Sequence, residues 1–182
     1  MNIILILRHT YPGLKGCLAL VVCLCISCSA PKVVVGDQKL NENDPWKMRE
    51  SILSNGMQLL GTPYKRAGKN TDGFDCSGLV QFLFSKTGLS IGPSSRDQIN
   101  KGTEIDLDAA KPGDLIFFGT KNQVSHVGLI CSNKKNELYI IHSTSSKGVI
   151  HENILASDYW LRKILRINQF ESYLPENLLT QH

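Results

Sequence analysis

Three residues of the 182-residue chain could together carry out nucleophilic chemistry. Cys76 lies in the stretch DGFDCSGLVQF, Asp72 to Phe82, just before an apolar run, and His126 and His142 lie farther along the chain in two apolar segments. A cysteine thiol attacks carbonyl groups when a histidine takes its proton and a third side chain orients that histidine. The residue types therefore predict a thiol site, provided that the fold brings the three together.

The residues around Cys76 predict the start of a helix. Asp75 is a suitable N-cap residue, apolar residues from Leu79 to Phe84 follow at helical spacing, and Gly88 ends the pattern. A thiol at this end of a helix is stabilised as thiolate by the helix dipole, which predicts a lowered pKa. The free backbone N–H groups of the first turn could stabilise an oxyanion, and Gly78 would let a substrate approach closely.

The two histidines are predicted to lie on one hairpin. The apolar segments Val124–Cys131 and Glu137–His142 are joined by the polar turn SNKKN. A simple hairpin centred on Lys134 places His126 directly opposite His142, with both rings on one face. His126 could then accept the Cys76 proton, and His142 could orient His126.

Other interpretations of these residues stay open at this point. A histidine on a strand is more often a structural residue, and Cys76, His126 and His142 could instead bind zinc, although short-range ligand pairs are missing. A disulfide between Cys76 and Cys131 is also compatible with an exported protein.

The remaining elements predict an α+β domain with an antiparallel sheet. A helix begins at Asp44-Pro45 and stops before Gly61, and a short capped helix runs from Ser94 to Gly102. Strands are predicted at Leu115–Phe118, Val124–Cys131, Glu137–His142, Gly148–His151 and Leu161–Ile167. Helices first and strands later are typical of this fold class.

The first 28 residues predict a lipoprotein signal peptide. Cys17 to Ile26 is an apolar run of ten residues after Lys15, too short for a bilayer span of about 20 residues. Small residues surround Cys28 in the pattern of a bacterial lipobox, so Cys28 is the predicted lipidation site; a plain cleaved signal is the alternative. Residues 29–43 are interpreted as a tether, 44–168 as the folded domain and 169–182 as a tail.

The composition favours a folded domain and argues against a nucleic-acid-binding protein. Hydrophobic residues make up 42% of the chain, which is enough for a core. The net charge is +4, and the sequence contains no run of basic residues. Nucleic acid is therefore not an expected partner. Four of the six cysteines belong to the leader or the anchor, which leaves Cys76 and Cys131 in the domain.

Several segments, in this order, resemble the NlpC family of bacterial cell-wall cysteine peptidases. They are GTPY (Gly61–Tyr64), DGFDCSGLVQF (Asp72–Phe82), SSRDQ (Ser94–Gln98), KPGDLIFFG (Lys111–Gly119), SHVGLI (Ser125–Ile130) and IHSTSSKGV (Ile141–Val149). The resemblance implies a compact papain-like fold, with N-terminal helices packed on an antiparallel sheet of five to six strands. It also implies a catalytic Cys-His-His site on Cys76, His126 and His142, with no metal or cofactor. The residues implied to bind substrate are Tyr64, Asp75, Ser77 and Ser95.

The resemblance also implies a function. Such proteins hydrolyse amide bonds in peptidoglycan stem peptides, often between γ-D-glutamate and a diamino acid. A monomer is expected in the bacterial cell envelope, lipid-anchored to a membrane and facing the periplasm or cell wall. The alternatives are an N-acetylmuramoyl-L-alanine amidase and a non-catalytic peptidoglycan-binding lipoprotein. The loop YKRAGKN (residues 64–70) and the triplet IGP before SSRDQ depart from the family pattern, which leaves the stem-peptide preference open.

Overall fold

The computed structural model describes residues 44–179. The predicted lipidation site Cys28, the leader and the tether lie outside this range. Within it, the helices are α1 (Pro45–Gln58), α2 (Cys76–Ser85), α3 (Ser95–Lys101), α4 (Asp158–Leu161) and α5 (Glu176–Leu179). The strands are β1 (Lys69–Asn70), β2 (Gly73–Phe74), β3 (Glu104–Ile105), β4 (Leu115–Thr120), β5 (Gln123–Lys134), β6 (Glu137–Thr144), β7 (Gly148–Asn153) and β8 (Ile164–Asn168). None of these helices is both long enough and apolar enough to cross a membrane.

The predicted α+β architecture is confirmed. Six strands form one antiparallel sheet in the order β3-β8-β4-β5-β6-β7, and β1 and β2 form a separate small ribbon. The prediction for Leu161–Ile167 was wrong in part. Ser157 caps the single helical turn α4 by accepting from the Trp160 N–H, so the strand begins only at Ile164.

Both faces of the sheet are covered, because side chains alternate along each strand. Leu115, Phe117 and Leu129 face α1 and α2 in the main core. The other face packs a second cluster that includes Ile116, Phe118, Ile130 and Ile140. By parity, His126 and His142 belong to this second face, where Trp160 packs against the cluster.

The segment interpreted as a tail contributes to the main core. Phe170, Tyr173, Leu174 and Leu178 are all buried there. The segment is too short for its apolar residues to show a helical or strand periodicity in the sequence. Their burial makes residues 170–178 part of the folded domain.

Candidate active site

Cys76 is the first residue of α2, as predicted. The Asp75 carboxylate caps the helix by accepting from the Gly78 N–H at 2.6 Å, and it also accepts from the Ser77 hydroxyl at 3.1 Å. The interpretation of Gly78 was wrong: a side chain there would overlap the Gly68 carbonyl, so this glycine admits a loop and not a substrate. Asp75 and Ser77 thus hold the helix start in place.

His126 and His142 are brought together, although in a different register from the predicted one. Nε2 of His126 lies 2.9 Å from Nδ1 of His142, and the rings meet edge-on. The two strands pair Leu129 with Ile141. That register carries His142 opposite Gly128, two residues along the strand from His126, so the rings still share one face.

A bulge at Cys131 preserves this shared face. The turn pairs Lys134 with Glu137, and continuing that register would place His142 opposite Leu129, on the wrong face for His126. The register shifts by one residue between Ile130 and Ser132, which returns the histidines to the same side. The contact between the two imidazoles therefore depends on one extra residue in β5.

Two residues that the sequence analysis missed complete the polar chain. Nε2 of His142 lies 2.7 Å from Oε1 of Glu152 on β7, and the Trp160 indole N–H donates to the same oxygen at 2.9 Å. The Trp160 ring also stacks on His126, with centroids 4.9 Å apart. No sequence motif marked Glu152 or Trp160, because both depend on strand register and on the position of α4.

Cys76 and His126 line one open cleft of about 620 Å³. Tyr64 lines it too, with Lys147 and Lys163 as basic groups. Asp75, Ser77 and Ser95, the other implied substrate residues, are not among the lining residues of this cleft. His142 is fully buried behind His126.

Hydrogen bonds from neighbouring elements fix the site. Ser143, next to His142, donates its hydroxyl hydrogen to the Phe74 carbonyl at 2.7 Å and so ties β6 to β2, just before Cys76. Gln98 on α3 donates to the Ser77 carbonyl at 3.0 Å. The SSRDQ segment thus braces the first turn of α2 through Gln98.

The pKa shifts of Cys76, His126 and His142 favour a neutral thiol and neutral imidazoles. Burial raises the pKa of Cys76, and the Asp75 charge adds to this, whereas the backbone N–H groups of Val127, Ser77 and Cys76 itself lower it. The predicted lowering of this pKa by the helix start was therefore wrong, because desolvation outweighs it. Burial lowers the pKa of His126 to about 3, with His142 contributing, and lowers that of His142 to about 4, with the Lys147 charge contributing.

The disulfide interpretation is contradicted, because Cys76 and Cys131 are both free thiols. Cys131 packs against the main core, where burial raises its pKa to about 12. For the zinc interpretation, one nitrogen of each histidine is already engaged with the other ring. Among residues 44–179, no group of three or more His, Cys, Asp or Glu side chains is placed to hold a metal ion.

This geometry can be compared with known proteins. The model of the NlpC/P60 family matches residues 61–169, more than half of the chain. The chain belongs to the NlpC/P60 family. The matched range contains Cys76, both histidines, Glu152 and Trp160, and the antiparallel sheet of the family resemblance is present.

Individual relatives each match more than half of the chain. The chain is 38% identical over 112 residues to the Gamma-DL-glutamyl hydrolase of Bacillus subtilis (strain 168), covering 61% of this chain and 27% of that protein. It is 37% identical over 103 residues to the Probable endopeptidase NlpC of Escherichia coli (strain K12), covering 55% of this chain and 64% of that protein. A crystal structure of an NlpC/P60 family protein from Bacillus cereus ATCC 10987 has a TM-score of 0.62 and 27% identity, covering 70% of this chain and 40% of that one. The chain thus spans less than two thirds of each of these proteins.

Proposed function

We propose that this protein is a peptidoglycan hydrolase that cleaves stem-peptide amide bonds with Cys76 as nucleophile. The supporting observation is the shared cleft, which is lined both by a cysteine at a capped helix start and by a histidine that is hydrogen-bonded to a buried histidine. Relatives with endopeptidase and glutamyl hydrolase names support the hydrolytic class.

The chemistry begins from a neutral pair. As the Cys76 sulfur attacks the carbonyl carbon, its proton moves to His126, and the tetrahedral oxyanion accepts hydrogen bonds from backbone N–H groups. The backbone N–H groups of Cys76, Ser77 and Val127 lower the pKa of the thiol and are the donors that we assign to the oxyanion. Protonated His126 then gives its proton to the leaving amine as the C–N bond breaks. Water hydrolyses the thioester and restores the thiol.

The proposed bond joins γ-D-glutamate to a diamino acid. This linkage leaves the glutamate α-carboxylate free, so the substrate is anionic near the scissile bond. Lys147 and Lys163 line the cleft and suit such a group. The name of the Gamma-DL-glutamyl hydrolase relative points to the same class of bond.

Fragment analysis tests this function. Purified peptidoglycan is digested with the wild-type protein and with Cys76→Ser, and released fragments are identified by mass spectrometry. New termini at γ-D-glutamate, formed by wild type only, support the proposal. New L-alanine amino termini would instead assign an amidase, and binding without release by wild type would assign a non-catalytic module.

We further propose that Cys28 carries a lipid that anchors the protein in the bacterial envelope. The support is the apolar run from Cys17 to Ile26, followed by small residues around Cys28. Cells fed a labelled fatty acid should label the wild-type protein and not Cys28→Ala. Equal labelling of both, or none of the wild type, would contradict the anchor.

A further inference from the structure

Glu152 occupies a position that connects the histidine pair to the tryptophan above it. It lies on β7, opposite Ile140 of β6, and its side chain is 29% exposed. One carboxylate oxygen, Oε1, contacts both Nε2 of His142 and the indole nitrogen of Trp160. The distances of 2.7 Å and 2.9 Å are those of full hydrogen bonds.

The direction of each hydrogen bond follows from the donors available. The Trp160 indole nitrogen can only donate, and an ionised carboxylate can only accept. His142 must therefore donate to Glu152 from Nε2. A neutral imidazole carries one N–H, so Nδ1 of His142 is left as an acceptor.

The donor and acceptor nitrogens of His126 can be assigned in the same way. Its Nε2 lies 2.9 Å from the accepting Nδ1 of His142, so Nε2 of His126 is the donor. The proton of a neutral His126 is then on Nε2, and Nδ1 is bare. Burial keeps both rings neutral near pH 7, which is the condition for this assignment.

We propose that Glu152, held by Trp160, is a positioning residue that sets the tautomers of both histidines so that His126 presents an unprotonated Nδ1 to the Cys76 proton. The inference rests on the proposed function for its catalytic meaning, but the tautomers themselves do not. Without the Oε1 acceptor, His142 is free to carry its proton on Nδ1. His126 would then have to accept at Nε2, which places its own proton on Nδ1, where the Cys76 proton has to go.

The hydrogen bonds from His126 through His142 to Glu152 also affect the protonated form of His126. When His126 accepts the thiol proton it becomes an imidazolium, and its Nε2–H still donates to His142. The Glu152 carboxylate at the far end of this chain of hydrogen bonds favours the positive charge, because burial removes most of the solvation from both imidazoles. The effect belongs to the proton-transfer step, so it is expected in kcat and not in KM.

A pair of substitutions separates the acceptor from the charge. Glu152→Gln keeps an oxygen acceptor for His142 and Trp160, and Glu152→Leu removes it at similar volume. We expect kcat on a γ-D-glutamyl peptide to fall about 100-fold in Glu152→Leu, with KM within about twofold, and expect the Gln variant to recover about tenfold of that loss. Equal losses in both variants with a raised KM would mean that Glu152 binds substrate by its charge, and unchanged kcat in Glu152→Leu would mean that it only packs.

Imidazole ¹⁵N chemical shifts test the tautomers without activity. The full chain with Cys76→Ala should show protonated Nε2 and bare Nδ1 for both histidines near pH 7, and Glu152→Leu in the same background should lose this pattern. A proton on Nδ1 of His126 before the Glu152 substitution would overturn the inference, even if Cys76 is the nucleophile. If Glu152→Leu does not fold, Trp160→Phe keeps the ring over His126 and removes one donor. A several-fold lower kcat at unchanged KM is then expected. An unchanged kcat would contradict the proposal that Trp160 holds Glu152 in position.

Discussion

Among residues 44–179, the polar network around Arg49 and the network around the two histidines differ in the kind of side chain that builds them. Arg49 of α1 is 3% exposed and pairs with Asp114 at 2.9 Å and with Glu171. It also donates to the Pro112 carbonyl and lies 4.7 Å above the Phe170 ring. This network ties the first helix, the turn before β4 and the C-terminal segment together with charges that are partnered on every side.

The histidine network contains no such permanent pair. His126 and His142 are held neutral by burial, and Glu152 accepts two N–H bonds at the edge of the cleft. Its protons can move, because each imidazole has a donor and an acceptor nitrogen. Fixed charges therefore join distant segments of the fold, whereas the groups whose protons can shift lie at the edge of the cleft.

The largest effect is expected on activity, at the nucleophile. Cys76→Ala should lower hydrolysis of peptidoglycan by about 1,000-fold or more, because the covalent step is removed. Cys131→Ala is the matched control, since both thiols are partly buried but only Cys76 lines the cleft. It should keep activity within about threefold and lose about 1 kcal/mol of unfolding free energy. Equal activity losses in both variants would contradict the assignment of Cys76 as the nucleophile.

The next largest effect is expected on stability, in the charged network. Arg49→Met leaves the buried Asp114 carboxylate without its cation and should cost about 3–5 kcal/mol of unfolding free energy. Urea denaturation measures this, with exposed Arg162→Met as a control expected within about 0.5 kcal/mol. A small cost for Arg49→Met would show that the network does not hold these segments together.

The stability contributed by the histidine network is expected to depend on pH. His126 and His142 have pKa values lowered from 6.5 to about 3 and about 4, so they stay neutral in the folded state as the pH falls below 6.5. The unfolded chain takes up these protons first, so stability from these groups is present above about pH 6.5 and declines below it.

Activity should follow the folded pKa of the base. We expect kcat/KM to remain level from pH 7 to about 5 and to fall at lower pH, as His126 is protonated. Initial rates measured together with circular dichroism separate loss of the base from unfolding. An acid limb centred at 6.5 in a folded protein would mean that His126 is not desolvated.

The smallest effects are expected at the cleft rim. Lys163 lies 3.9 Å above the Tyr159 ring and lines the cleft with Lys147. Lys163→Met should raise KM about three- to tenfold with kcat nearly unchanged, because it removes one charge that attracts an anionic stem peptide. Exposed Lys121, outside the cleft lining, is the control. Unchanged KM in Lys163→Met would remove this lysine from substrate recognition.

The parts of the site that could be predicted are those with local causes. The Asp75 cap and the helix after Cys76 follow from adjacent residues, and the fold class follows from the order of elements. The hairpin register could not be predicted, because the two-residue turn before Glu137 and the bulge at Cys131 shift it in opposite directions.

Other parts depend on contacts between distant segments. Burial raises the Cys76 pKa against the helix dipole, and burial is a property of the whole fold. Glu152 reaches His142 only through the pairing of β6 with β7. Trp160 reaches Glu152 and His142 because α4 forms a helical turn, of which only the last residue, Leu161, falls within the strand predicted from the sequence. Arg49 gave no signal at all, since its partners lie 65 and 122 residues away along the chain.

Detection of a covalent intermediate on Cys76 would test directly whether this thiol is the nucleophile. The protein is mixed with a soluble γ-D-glutamyl stem peptide, quenched in acid within the first turnover, digested and analysed by mass spectrometry. We expect an added acyl mass on the peptide that contains Cys76, absent in Cys76→Ser and greatly reduced in His126→Ala. Product formation at the wild-type rate by Cys76→Ser, with no acyl mass on the wild-type thiol, would contradict the role of Cys76 as nucleophile.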